Sequence, residues 1–289
     1  MENTKSRTKT STSQPRPFLK WVGGKARLLP VISEYYPTTY EKYYEPFVGG
    51  GAMFFSLQPK TAHINDLNLV LISAYKHIRD DVDKLVESLR ELENLYYALP
   101  SLEEKKLFYL DKRTEFNTLQ HESFDKTVLL IFLNKTCFNG MYRENSKGGF
   151  NVPFGQHEKP TICDEENLRN ISTSLQHTAI THSSYEKAVA TAEKGDFIYF
   201  DPPYHPLNTT SSFTSYQAGG FTEQDQIKLR DEFKRLSDLG CKVMLSNSDA
   251  PLINELYKDF KIHKIYAARS INSNGAKRGK ILEVLVTNY

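Results

Sequence analysis

The chain has 289 residues, 39% of them hydrophobic and 12% aromatic, enough to bury a substantial core in one large or two modest domains. No apolar run approaches the ~18 residues of a membrane span and the N-terminus is polar, which speaks against a spanning helix or a signal peptide and predicts a cytoplasmic protein. The net charge of +2 excludes nothing by itself, but its distribution is uneven. Basic residues cluster in 1–27, where Glu2 is the lone acid, and again in 267–280, which holds no acid; two such segments could grip a polyanion or be ordinary solvated surface.

Residues 1–16 are rich in Ser, Thr and Lys and read as a disordered leader, with structure beginning near Phe18. In FLKWVGGKARLLP a short aromatic segment meets a helix-like stretch across Gly23 and Gly24. Trp21 and Lys25 flank that turn, an aromatic and a cation that could hold a ligand with a ring and a carboxylate; Trp21 fits a core position equally well. YYEPFVGGGAMFF, residues 43–55, reads as a strand, a glycine-rich turn and a helix start. Gly49 and Gly51 there would let a ligand approach the backbone beside a helix N-terminus. AHIND then reads as a second strand ending in Asp66, which could take ribose hydroxyls as in nucleotide-binding βαβ units or cap the helix that follows.

Apolar residues at Leu71, Tyr75, Ile78, Val82, Leu85, Leu89, Leu92 and Tyr96 alternate steps of four and three, the pattern of one long amphipathic helix ended by Pro100. Ser101 with Glu104 forms a capping box for another helix, and Val128–Leu133 reads as a third. No alternating strand pattern appears between 67 and 133, so a largely helical insertion, residues 68–160, divides a catalytic α/β domain made of 17–67 and 161–289. The insertion ends in a basic, aromatic stretch, 134–160, with turn signals at Asn139-Gly140 and Gly148-Gly149. Such a region suits contact with bases and phosphates, or is a plain surface hairpin.

The α/β rhythm resumes with a strand near Ala179–His182, followed by GDFIYFDPPY. Phe197–Phe200 reads as a strand buried on both faces and stopped by Pro202 and Pro203, which holds Asp201 at its carboxyl end, where open α/β sheets bind ligands. A carboxylate beside carbonyls that the prolines leave unpaired can grip the hydrogens of an aromatic amine and free its lone pair, while Tyr204 offers a face to the ring. A polar, mobile stretch, 206–220, a helix capped by Thr222 and Asp225 that runs to Leu239, and strands at Lys242–Ser246, Phe260–Tyr266 and Ile281–Thr287 complete the chain. Cys137, Cys163 and Cys241 are odd in number and lack metal-ligand spacing, which predicts free thiols and no metal site.

The segments FLKWVGGK, YEPFVGGGAMFF, IND, FNGMYR with FNVPFG, FDPPY and RSINSNG occur in the order found in adenine-specific DNA methyltransferases of the Dam (DNA adenine methylase) type, which the chain resembles from about residue 17 to 287. The resemblance implies an α/β, Rossmann-like, S-adenosylmethionine-dependent methyltransferase fold with a helical target-recognition insertion, and transfer to N6 of adenine in double-stranded DNA, usually within GATC, without a metal; a methyltransferase of the same fold acting on RNA or protein glutamine is the alternative. It implies that Trp21, Lys25, Phe47, Gly49, Gly51, Asp66 and Asp201 contact the cofactor, and that Asp201, Pro202, Pro203 and Tyr204 form the catalytic set. Lys20, Phe138, Asn139, Met141, Arg143, Pro153, Arg269, Asn272 and Asn274 would contact DNA. Met141 and His157 stand where members of the family can differ, and a cognate restriction endonuclease is a further partner the resemblance allows.

Overall fold

The computed structural model describes residues 13–207, 220–268 and 280–289, the side chains of 266–268 and 280–282 excepted. Seven strands form one sheet: β1 (Tyr43–Glu45), β2 (Ala62–Asn65), β3 (Thr178–Thr181), β4 (Phe197–Phe200), β5 (Lys242–Ser248), β6 (Lys261–Ala268) and β7 (Lys280–Thr287). Their order is β3-β2-β1-β4-β5-β7-β6. The pairs from β3 to β5 are parallel, and β7 runs antiparallel between β5 and β6.

Strand alternation assigns side chains to two cores. Phe197, Tyr199, Met244 and Leu285 face one, while Ile198, Phe200, Val243, Leu245, Val284 and Val286 face the other. Burial on both faces is why β4 reads FIYF without a polar residue. The second core is closed by α8 (Tyr185–Ala188), α9 (Glu223–Leu239) and α10 (Pro251–Leu256), with Thr222 and Asp225 making the full reciprocal cap of α9. The first core lies under α1 (Leu29–Ile32), α2 (Ala52–Leu57), α3 (Leu69–Asp80), α4 (Val82–Ala98), α5 (Leu102–Thr118), α6 (Phe124–Thr136) and α7 (Glu165–Leu175). Among the described residues no helix is long and apolar enough to cross a membrane.

Three expectations change. The single helix from Leu71 to Tyr96 is two, α3 and α4, broken at Asp81 (φ −130°, ψ 33°). The apolar stripe passes from one to the other, so periodicity does not reveal the break, whereas adjacent Asp80 and Asp81 are poor helix formers. Ser101 caps α5, but Glu104 meets its hydroxyl rather than the cap's backbone N–H, so the box is half made. Residues 13–16, expected within the leader, are held in place: Arg16 exchanges backbone hydrogen bonds with the Asn167 side chain on α7, and Asn170 donates to Ser13. Residues 1–12, 208–219 and 269–279, including the basic loop, lie outside the described residues.

The stretch after α6 is a hairpin pinned to a helix. Cys137 bridges Phe154, Glu144 bridges Phe150, and Gly148 takes the left-handed conformation at the turn. Tyr109, Arg113 and Asn117, at steps of four along α5, bond to the hairpin backbone at Val152 and Phe150. Asn134 ties its base to the N-terminal segment, accepting from Lys20 N–H at 3.0 Å and donating to the carbonyls of Lys20 and Gly140.

Candidate active site

The order of connections reverses between β1 and β4: β1 leads to β2 and β3 on one side, while β4 leads to β5 on the other. Ligands bind outside the carboxyl ends of strands at such a point. Glu45 ends β1 and Asp201 follows β4, so the two motifs singled out in the sequence open onto one crevice.

Asp201 is half-buried. Burial raises its carboxyl above the ordinary value, the Lys25 ammonium opposes that shift, and Glu283 adds to it. Lys25 is only 6% exposed; its Nζ lies 2.8 Å from Asp201 Oδ1, donates to Gly23 O at 2.8 Å and stands 4.7 Å from the centre of the Tyr204 ring. The cation therefore covers both the acceptor and the aromatic face that the sequence assigns to an amine. Tyr204 donates to Glu283 Oε2 on β7 at 2.8 Å, which fixes the ring. Pro202 is buried and Pro203 exposed.

Glu45 lies beneath this group, 2% exposed, accepting from the Tyr43 hydroxyl at 2.8 Å. Burial, with Asp201 nearby, pushes it up to about 8. The glycines of the β1–α2 turn have a structural reason beyond ligand access. A Cβ on Gly49 would lie 3.0 Å from the Trp21 ring, and one on Gly51 would lie 2.6 Å from the Tyr75 hydroxyl. Both have positive φ, +48° and +73°. Asp66, just past β2, accepts from Gly49 N–H at 3.0 Å and Asn68 N–H at 2.9 Å, so it braces the turn, and its carboxylate retains acceptor capacity. The cap of α3 is Asn68, not Asp66.

Trp21 is half-buried between Gly49 and Tyr142, stacked on the latter at 4.9 Å and 21°. That stack joins the β1 turn to the hairpin. Phe47 packs on Tyr185 at the other face of the sheet. Along the hairpin, Phe138 is 50% exposed, Asn139 is exposed with φ 57°, and exposed Pro153 accepts from Phe138 N–H. Arg143 donates through Nε to Asn151 Oδ1 at 2.8 Å; Met141 is half-buried and Lys20 exposed. Arg269, Asn272 and Asn274 lie outside the described residues. The sequence reading missed Glu45, though it stands inside the YEPF motif, and Glu283, which carries no local signal. Cys137 and Cys241 are buried and Cys163 half-buried, all free, and the described residues hold no group of three His, Cys, Asp or Glu side chains disposed around a metal ion.

The profile of the D12 class N6 adenine-specific DNA methyltransferases matches residues 21–271. The chain belongs to that family. It is 46% identical over 279 residues to the type II methyltransferase M1.LlaDCHI of Lactococcus lactis subsp. cremoris, covering 95% of each chain. It is 43% identical to the type II methyltransferase M.MjaIII of Methanocaldococcus jannaschii, with 95% of this chain and 99% of that one covered. To the DNA adenine methylase of Escherichia coli K12 the identity is 36%, over 93% and 94%. As a D12-class enzyme the chain is an N6 adenine-specific DNA methyltransferase acting on DNA, and its sheet is that of the Rossmann-like methyltransferase fold.

Proposed function

We propose that this methyltransferase moves the methyl group of S-adenosylmethionine directly to N6 of an adenine turned out of duplex DNA, with GATC as its target. The observation that carries the reading is the joint position of Asp201, Lys25 and Tyr204 at the switch point of the sheet. The donor set of the crevice fits the cofactor. Asp66 retains lone pairs for ribose hydroxyls, Lys25 is a buried cation suited to a carboxylate, and Trp21 and Phe47 flank the glycine turn. When bound, S-adenosylmethionine supplies a methyl group on a positively charged sulfur.

The protein's part is to hold the amine. With Lys25 turned from Asp201 and Tyr204 to the cofactor's carboxylate, Asp201 accepts one N6 hydrogen and the carbonyl of Pro202 the other, which localises the nitrogen lone pair; the proton that the methylated nitrogen releases passes to Asp201, and no cysteine or histidine is required. Turning the base out costs about a few kcal/mol, which stacking on Tyr204 partly offsets. Residues 68–160 act as the target-recognition insertion: Phe138 enters the stack, Asn139, Met141 and Pro153 face the bases, and Lys20 takes a phosphate. Arg143 donates to Asn151 through Nε and Nη2 and reads a guanine edge with Nη1 and the remaining hydrogen of Nη2, a contact worth about 1–3 kcal/mol of discrimination. The same reading places the enzyme in the cytoplasm beside a restriction endonuclease; two relatives are named type II methyltransferases.

Methylation of GATC duplexes and of a set substituted at one position each, by wild type and by Asp201→Ala, tests the reading. Wild type should prefer GATC, and Asp201→Ala should lose turnover while largely sparing cofactor and DNA binding. Near-normal turnover by that variant would sink the mechanism, and equal rates on every duplex would sink the target.

A further inference from the structure

The segment that follows β4 cannot hold itself. From Asp201 to Pro206 three of six residues are proline, so only Asp201, Tyr204 and His205 carry a backbone N–H, and the segment has no regular secondary structure. It is held instead by a chain of side-chain amides that the sequence reading did not single out. Gln226 in the first turns of α9 donates through Nε2 to Pro203 O at 2.9 Å. Its Oε1 accepts from Asn247 Nδ2 at 3.1 Å, and Asn247 Oδ1 accepts from His205 N–H at 3.0 Å and from Ser248 N–H at 2.9 Å. Ser248 closes the circuit by donating through Oγ to His205 O.

Gln226 and Asn247 are both 0% exposed. The polarity of the chain has one solution. Pro203 O can only accept, so Gln226 must present its NH2 group there and its oxygen to Asn247; Asn247 must then turn its NH2 to Gln226 and its oxygen to His205 N–H. Both ends rest on rigid elements: α9 starts in a complete capping box, and β5 pairs with β4 up to Phe200. A buried network in which each amide nitrogen and oxygen has a partner favours one arrangement.

We infer that Gln226 and Asn247 are positioning residues for methyl transfer: they set where the carbonyls and carboxylate of the Asp201–Tyr204 segment stand when they hold the amine. The inference rests on the reading of that segment as the amine-binding one. Neither side chain meets a reactant, so the effect falls on geometry, and misplacement by about 1 Å can cost roughly a hundredfold in rate.

The test uses the full-length enzyme with S-adenosylmethionine and a GATC duplex. Gln226→Glu and Asn247→Asp keep volume and shape but put an acceptor opposite an acceptor; Ser248→Ala removes one hydroxyl, and Ser248→Thr restores it. In variants that melt cooperatively, kcat should fall about 10- to 100-fold. KM for DNA and the dissociation constant for the cofactor should stay within about threefold, and Ser248→Thr should recover most of the rate lost in Ser248→Ala. An unchanged kcat in Ser248→Ala and in the folded isosteric variants overturns the inference, as does a loss of cofactor affinity that accounts for the rate. If Asp201→Ala is active in the same assay, the failure belongs to the reading of the segment and not to its supports.

Discussion

Glu45 illustrates what one buried carboxyl does to the whole enzyme. With its folded value near 8 and its ordinary value near 4.5, it holds a proton in the native state that the unfolded chain releases between those limits. Below about pH 4.5 both states are protonated; as pH rises toward 8 only the unfolded state ionises, so this residue's contribution to stability falls by up to about 1.4 kcal/mol per pH unit across the window. Glu45→Gln removes the titration. Denaturant melts at pH 5 and pH 8 should show the variant losing less stability over that interval than wild type; equal losses would mean that Glu45 titrates normally. Asp66 gives a second prediction: Asp66→Ala should weaken cofactor binding by roughly 1–3 kcal/mol in calorimetry, since hydroxyls lose an acceptor and the Gly49 amide loses its brace. At this scale the sequence is legible where a residue stands in a local motif. Asp201 follows an apolar strand and precedes two prolines, which fixes its place. Its pairing with Lys25, 176 residues away in sequence, and the bond from Tyr204 to Glu283 depend on the packing of distant strands, and no local pattern carries them.

Among the elements, the hairpin after α6 is the clearest case of structure made by a neighbour. Its turns are visible as Asn139-Gly140 and Gly148-Gly149, but its rigidity comes from the rungs on α5, Tyr109, Arg113 and Asn117, which look in sequence like an ordinary helix face. The same limit explains the break at Asp81, where an apolar stripe continues across two helices, and the helix α7, whose buried residues Leu168, Ile171 and Leu175 give too short a run to stand out. Donation from Nε and Nη2 to Asn151 fixes the Arg143 guanidinium. Arg143→Ala should therefore relax discrimination at one position of the target with little change in salt dependence, whereas a phosphate contact would weaken all sequences alike and lower the salt slope by about 1. Rates on singly substituted duplexes at two salt concentrations separate these outcomes.

At the level of the whole molecule, the largest core runs without interruption from Phe18 through α3, α6 and α7 to the inner face of the sheet. Leu71 and Tyr75 on α3, Phe132 on α6 and Tyr199 on β4 belong to one cluster. The sequence shows the helical interruption but not this continuity, because amphipathic spacing says which face is apolar and not what covers it. Residues 68–160 expressed alone would lose the sheet-side partners of α3 along with the clasp between Asn134 and Lys20. That fragment should lack a cooperative thermal transition by circular dichroism; a sharp melt would show an autonomous unit. The shared core also bears on how such an enzyme can change its target. If residues 68–160 read the target, as proposed, a segment sharing its core with the catalytic sheet cannot be traded as a cassette, and chimaeras joined near residues 68 and 160 should misfold before they could be selected. On the proposed reading, new specificity is open instead to drift at exposed hairpin positions such as Phe138, Asn139 and Pro153, where a substitution leaves the common core untouched.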